Sequence, residues 1–164
     1  MNAADLILGT CREADIPEIM EIERNSFPSP WSEELFRKEL TMPLSTVLVA
    51  KRTVERGEAV AGYIVYWTIA DEMHLQDIAV RSDLRRNGIA ARLLAEAIDL
   101  ARRKQVHRAT LEVRSSNLSA QRFYEKFGFS VQGLRKRYYT DSGEDALIMW
   151  AEFEKTDTEP VKKS

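Results

Sequence analysis

Residues 88–103 carry the strongest structural signal in this chain. Apolar side chains recur there every three or four positions, and charged side chains occupy the opposite face. This spacing is typical of an amphipathic α-helix that packs one face against a protein core. Residues 74–80 before it are predicted as a strand, so a loop and a helix N-terminus must follow that strand. The apolar helix positions are Ile89, Leu93, Leu94, Ala97, Ile98, Leu100 and Ala101.

The other apolar segments predict a sheet with helices packed against it. Residues 46–51 and 60–68 are predicted strands around a polar turn at 55–58, and with 74–80 they form antiparallel neighbours. Strands and helices alternate only after Met73, which favours a mixed sheet in an α/β or α+β domain. The remaining predictions are strands at 6–11, 109–113, 129–131 and 146–153, helices that begin at Asp15 and at the capping residue Ser32, and a helix at 119–127.

Length and composition fit one folded domain. The chain has 164 residues, of which 44% are apolar and 30% are charged, and it shows no repeat and no linker. These values are ordinary for a globular protein and unlike those of a disordered chain. We therefore predict a single domain over residues 1–154 and a flexible, polar C-terminal tail over residues 155–164.

Charge and cysteine content limit the partners and the compartment. The 24 basic and 26 acidic residues leave a net charge of -2, so the whole molecule has no general attraction to nucleic acid or anionic membranes. The single cysteine, Cys11, excludes an intramolecular disulfide and fits a reducing compartment. The longest apolar run, 60–70, is about half the length that spans a bilayer, and no export signal begins the chain. We expect a cytoplasmic protein with no direct nucleic-acid or membrane partner.

Cysteine and histidine form no recognisable reactive cluster in the sequence. Cys11 has no histidine close to it along the chain, which argues against a nucleophilic role. His74 and His107 lie far apart and lack carboxylate or cysteine partners at the spacing of metal ligands. No metal site is predicted.

The loop before the 88–103 helix is a candidate phosphate site. A helix N-terminus offers unpaired N–H groups and a favourable dipole to an anion, and Gly88 allows close approach of the backbone. Between Arg81 and Lys104, seven basic residues outnumber three acidic residues, a local net charge of +4. An ordinary turn before a solvated basic helix face explains these features equally well. The spacing matches neither the P-loop of ATP-binding proteins nor the glycine loop of dinucleotide-binding proteins.

The pattern Arg85-x-x-Gly88-x-Ala90 after a strand resembles the acetyl-CoA signature of the GCN5-related N-acetyltransferase (GNAT) superfamily, Gln/Arg-x-x-Gly-x-Gly/Ala. Further segments resemble the RimI-type ribosomal-protein-alanine N-acetyltransferases, and together they extend the resemblance over nearly the whole chain. The loop signature is common to the superfamily, whereas the segments at 111–117 and 138–139 are more specific. The matching segments are residues 30–33, 78–80, 111–117, 123–129, 138–139 and 144–149.

The resemblance implies a GNAT fold, in which a mostly antiparallel central sheet is flanked by helices, and acetyl-CoA as the co-substrate. In this superfamily the strand before the loop splays from its neighbour and binds the pantetheine arm through its backbone. That role is expected here for Ile78, Ala79 and Val80. The resemblance places the diphosphate on Arg86, Asn87, Gly88, Ile89, Ala90 and Ala91, with Asn117 as a further cofactor contact.

Acetyl transfer to an amine needs a base for the attacking ammonium and an acid for the departing thiolate. The resemblance assigns the base to Glu112 and the acid to Tyr124. Leu111 and Val113 share one face of their strand, so Glu112 must point to the other face. Without the surrounding motif, Glu112 would be a solvated strand carboxylate and Tyr124 a core aromatic residue.

The acceptor groove of the family is expected between the early helices and the late hairpin. Trp31, Tyr138 and Tyr139 are therefore candidate substrate-binding residues, although the same three could form a surface aromatic cluster. The basic run 135–137 could steer the enzyme to the ribosome or simply be solvated. Three functions stay open: acetylation of a ribosomal protein's N-terminal alanine, acetylation of another amine, and non-catalytic binding of acyl-CoA or the ribosome.

Overall fold

The structure, a computed structural model, describes residues 2–154. Its strands form one seven-stranded sheet in the order β1-β2-β3-β4-β5-β7-β6. Every neighbouring pair is antiparallel except β4 and β5, which are parallel. The predicted tail at 155–164 lies outside the described residues. The strands are β1 (Ile7–Thr10), β2 (Ser45–Val54), β3 (Gly57–Ile69), β4 (Glu72–Val80), β5 (Arg108–Arg114), β6 (Ser130–Arg135) and β7 (Ala146–Glu152).

Four α-helices pack on this sheet, and two of them begin at side-chain caps. Ser32 accepts a hydrogen bond from the Leu35 amide (3.2 Å), as its sequence position predicts, and Asn117 accepts one from the Ala120 amide (3.1 Å). No helix of the described residues is both long enough and apolar enough to cross a membrane. The helices are α1 (Ile16–Ser26), α2 (Glu33–Thr41), α3 (Ile89–Arg103) and α4 (Leu118–Glu125).

Both faces of the central strands are buried, because helices cover both. In β2, Leu48 and Ala50 belong to the core cluster that contains the apolar face of α3, while Val47 and Val49 belong to the cluster formed with α1 and α2. The alternation follows from the period of two in a strand. The predicted α/β mixed sheet, mostly antiparallel and flanked by helices, is thus confirmed, and the helix predicted at 88–103 corresponds to α3.

One predicted strand was much too short. The apolar segment 129–131 predicted a brief strand, whereas β6 spans Ser130–Arg135. Gln132 bulges out of the pairing between β6 and β7, so Val131 pairs with Met149 and Gly133 with Ile148. A bulge interrupts the alternation of apolar and polar residues, and this interruption hides the second half of the strand in the sequence.

The sheet splits where β4 runs beside β5. Their parallel pairing includes only Glu72 to His74 of β4 and ends at the pair His74–Thr110. Gln76 then bulges out of the pairing of β4 with β3, since Val65 pairs with Asp77 and Tyr66 pairs with Leu75. A bulge bends its strand and increases the local twist. Beyond it, β4 stays paired with β3 but has no pairing with β5.

Gly62 allows β3 to pack closely against the free half of β4. It pairs with Val80, and a Cβ atom at this position would lie 2.9 Å from the carbonyl oxygen of Ala79 and 3.3 Å from a methyl group of Ile89. The first contact involves backbone, which cannot rotate away. Gly62 therefore fixes how near β3, β4 and the start of α3 approach one another.

We expect Gly62→Ala to reduce the free energy of unfolding by about 1–3 kcal/mol, because the added methyl group must displace β4 or α3. Urea unfolding followed by circular dichroism measures this change. Gly9→Ala in β1 is the matched control, since its Cβ would meet no atom within 4 Å. Equal stability of the two variants would contradict the packing role of Gly62.

Candidate active site

A cavity of about 1070 Å³ fills the opening between β4 and β5. One arm reaches the loop before α3, and the other extends towards the segment between α1 and α2. Most residues proposed from the sequence line it, but the structure does not place Asn87 and Tyr138 among the lining residues. The predicted residues that line the cavity are Trp31, Ile78, Ala79, Val80, Arg86, Gly88, Ile89, Ala90, Ala91, Glu112, Asn117, Tyr124 and Tyr139.

The free edge of β4 provides backbone groups to this cavity. Ile78, Ala79 and Val80 pair with Ile64, Tyr63 and Gly62 of β3 through one edge of the strand. Their other edge has no pairing with β5. Buried backbone N–H and C=O groups require hydrogen-bond partners, so this edge can accept an extended ligand as it would accept a strand.

The loop before α3 turns its backbone in a way that suits an anion. Arg86 and Gly88 have positive φ angles of 63° and 75°, and no side chain caps the helix. Alternating left-handed residues can form a concave nest of N–H groups, which the dipole of α3 reinforces. Asn87 donates hydrogen bonds to the carbonyl oxygens of Leu84 (3.0 Å) and Arg85 (3.3 Å), so its side chain closes the loop.

Glu112 is a partly exposed carboxylate with two polar partners. Its Oε1 atom lies 3.0 Å from Nε of Arg135, and 28% of its side chain is exposed. A hydrogen bond with Glu112 raises the pKa of the Tyr138 hydroxyl. Leu111 and Val113 are buried on the opposite face of β5, as their alternation predicts. The guanidinium group of Arg135 therefore forms an ion pair with Glu112, which lines the cavity.

Tyr124 is both a core residue and a cavity residue. Its ring packs edge-on against Phe123 (5.2 Å between centroids) and Phe129 (5.8 Å), and only 8% of the residue is exposed. Burial raises the pKa of its hydroxyl, and the nearby groups Asp77 and Tyr139 raise it further. The phenol therefore stays protonated at neutral pH and can act as a proton donor inside the cavity.

Two loops meet above the arm of the cavity that extends towards the segment between α1 and α2. Ser29, between α1 and α2, donates a hydrogen bond to Asp141 (2.9 Å), between β6 and β7. Arg114 of β5 donates to both carboxylate oxygens of Asp141 (2.9 and 2.7 Å) and stacks 4.0 Å from the centre of the Tyr139 ring. Arg114 and then Ser29 hold the pKa of Asp141 well below its usual value. A polar bridge therefore connects the two loops over this arm.

Glu23 and Asp77 form a carboxyl pair that our sequence analysis missed. Glu23 is 1% exposed, accepts a hydrogen bond from the Trp31 amide (3.0 Å) and accepts one from the Tyr63 hydroxyl. Burial and then Glu23 raise the pKa of Asp77 well above its usual value. Both residues line the cavity. The sequence contained two signals of this pair, namely a glutamate on the apolar face of α1 and an aspartate within an apolar strand.

Cys11 and the histidines take no part in the cavity lining. Burial, and then the charge of Asp15, raise the pKa of the Cys11 thiol to about 12, so almost no reactive thiolate exists at neutral pH. Nε2 of His74 lies 2.9 Å from a carboxylate oxygen of Glu72. Among residues 2–154, no group of three or more histidine, cysteine or acidic residues is arranged to hold a metal ion.

Known proteins resemble this chain in sequence or in fold. A Bacillus subtilis (strain 168) protein, provisionally named a ribosomal protein bS18-alanine N-acetyltransferase, is 41% identical over 140 residues, which cover 85% of this chain and 90% of the relative. The crystal structure of the ribosomal-protein-S18-alanine N-acetyltransferase from Escherichia coli has a TM-score of 0.81 at 29% identity, over 94% of this chain and 98% of that one. The structure titled as the NatC complex bound to Gag peptide and CoA shares the fold, with a TM-score of 0.79 at 22% identity, over 92% of this chain and 99% of that one.

A family model described as the acetyltransferase (GNAT) family matches residues 16–129. This match runs from the first residue of α1 to the residue before β6 and includes β4, α3, β5 and α4, the elements that enclose the cavity. It confirms the family predicted from the loop signature. The protein belongs to the acetyltransferase (GNAT) family.

Proposed function

We propose that this protein transfers the acetyl group of acetyl-CoA to the N-terminal alanine of a small-subunit ribosomal protein. The observation that carries the proposal is one continuous cavity that joins the free edge of β4 and the anion-binding loop to Glu112 and Tyr124. The names of the Bacillus subtilis and Escherichia coli relatives support this acceptor. A cytoplasmic location fits the acetylation of a ribosomal protein, and it also fits a single cysteine that is free and buried.

The arm of the cavity that reaches the loop before α3, which we call the cofactor arm, supports a defined placement of acetyl-CoA. The pantetheine arm lies along the backbone of Ile78, Ala79 and Val80, and the diphosphate lies at residues 86–91. Asn87 contributes there through its backbone, because its side-chain amide closes the loop. The Oδ1 atom of Asn117 caps α4, which leaves its amide nitrogen to donate to the cofactor.

Glu112 and Tyr124 perform the proton transfers of the reaction. Glu112 removes a proton from the acceptor ammonium, directly or through water, and the free amine attacks the thioester carbonyl. The new C–N bond forms, the C–S bond breaks, and Tyr124 protonates the departing thiolate. The nitrogen then loses its second proton, which restores the Tyr124 hydroxyl, and Glu112 releases the first proton to solvent. The position of Tyr124 in the same cavity as Glu112 supports this role.

The other arm, which extends towards the segment between α1 and α2 and which we call the acceptor arm, suits the N-terminus of a polypeptide substrate. Trp31 and Tyr139 wall it under the Ser29–Asp141 bridge, and Tyr138 assists from outside the cavity through its hydrogen bond with Glu112. An α-amine has a pKa of about 7.7–8.0 against about 10.4 for lysine, a difference of roughly 3.4 kcal/mol in deprotonation. A single carboxylate base can therefore deprotonate an N-terminal ammonium more readily than a lysine ammonium.

Purified protein should acetylate a lysine-free peptide with an N-terminal alanine and leave a terminally blocked peptide with an internal lysine unmodified. Mass spectrometry after incubation with acetyl-CoA measures both products. Acetylation of lysine alone would indicate a GNAT enzyme for another amine. Binding of acetyl-CoA without transfer to either peptide would favour another amine acceptor or the non-catalytic module.

Glu112→Gln and Tyr124→Phe should each lower kcat on the alanine peptide by about 10²–10⁴-fold, because each removes one proton-transfer group. The KM for acetyl-CoA should stay nearly unchanged. Glu152→Gln, at an exposed position of β7, is the matched control. Full activity of both variants would refute the assigned acid and base.

A further inference from the structure

The Glu23–Asp77 pair has no role in the proton transfers described above. The ion pairs formed by the described residues include neither carboxyl group. Oδ2 of Asp77 is buried and has no hydrogen-bond partner among those residues. The carboxyl group of Asp77 does interact with Glu23 and the Ile78 amide, but a buried carboxyl pair that no cation balances is costly, so it needs an explanation beyond packing.

The surroundings of the pair can accept a cation. The described groups around Asp77 supply a carboxylate from α1 (Glu23) and the hydroxyls of Tyr63 and Tyr124. Burial, and then the charge of Asp77, raise the pKa values of these two hydroxyls. Arg114, the cation of β5 that lines the same cavity, is already bound to Asp141. The pair therefore places negative charge beside a cavity, and no cation within residues 2–154 forms an ion pair with it.

Glu23 fixes the position of this charge. Its two oxygens accept hydrogen bonds from the Trp31 amide and the Tyr63 hydroxyl, and these contacts connect α1 to the acceptor arm and to β3. Asp77 follows the bulge at Gln76, at the point where β4 has separated from β5. Asp77 consequently lines the part of the cavity that lies between the two strands.

We propose that Glu23 and Asp77 form a subsite that binds the acceptor's cationic α-ammonium group, with the Asp77 carboxylate as its hydrogen-bond acceptor and Glu23 as the positioning residue behind it. This inference rests on the proposed function, because that reaction brings an ammonium group into this arm. On binding, Asp77 releases its proton to solvent, and the ammonium keeps its own proton until Glu112 removes it.

The first test measures stability. The native state binds a proton at Asp77 more tightly than the unfolded chain does, because the pKa is raised in the fold. The carboxyl group therefore destabilises the protein progressively as pH rises above its unfolded pKa of about 3.9. Asp77→Asn should raise Tm relative to the original protein, and the gain should be larger at pH 8 than at pH 5. A fall in Tm at both pH values would show a structural role and overturn the proposal.

The second test measures recognition of charge. Calorimetry with the CoA-bound protein compares a peptide with an N-terminal alanine and the same peptide with the amine replaced by a hydroxyl group. The original protein should prefer the ammonium peptide by about tenfold or more at neutral pH, since hydrogen bonds to charged groups are the stronger ones. Asp77→Asn and Glu23→Gln should reduce this preference to about twofold or less.

Glu21→Gln, which removes a carboxylate from the exposed face of the same helix, should keep the preference. An unchanged preference in the two site variants, an equal loss of affinity for both peptides, or no preference in the original protein would overturn the subsite. The binding assay needs no turnover. If the variants lose the preference while the original protein fails to acetylate the alanine peptide, the subsite stands and the proposed function fails.

Discussion

The separation of β4 from β5 is the constraint on which the active site depends. Two parallel strands in the middle of a sheet would normally stay paired along their length, yet these pair over only three residues. The bulge at Gln76 bends β4 away while its pairing with β3 continues. The cost is a row of backbone groups without strand partners inside the sheet. An extended ligand with amide groups can form hydrogen bonds with these backbone groups. The separation of the strands therefore both opens the cavity and determines the kind of ligand that binds there.

Helices on both faces keep this separation from collapsing. On one face, Leu111 and Val113 of β5 share a core cluster with Tyr124 and the apolar side of α3. On the other face, Tyr63 and Ala79 pack with α1 and α2. Closing the gap would require both clusters to move, and close-packed cores resist such shifts. The cavity is therefore a consequence of where the two cores anchor the strands.

Local sequence patterns predicted the secondary structure and fold class of this protein, but they could not predict contacts between residues that lie far apart in the chain. The α3 helix and its loop followed from periodicity and one glycine within a short segment. The assignment of Glu112 and Tyr124 came from resemblance and remains a proposal. Neither route could show that Arg135 pairs with Glu112 or that Glu23 meets Asp77, because these contacts join positions far apart in the chain. Alternation predicted only which face each side chain occupies.

The carboxylates of the cavity differ in whether the protein has already neutralised them. Asp141 and Glu112 each lie against an arginine, so their charges are balanced within the fold. Glu23 and Asp77 are more deeply enclosed and lack such a partner, so burial favours retention of a proton between them. An apolar pair of similar volume would cost less stability. A carboxyl pair at this place becomes more favourable when a cation arrives from outside, and the acceptor's ammonium group is the cation that acetyl transfer brings.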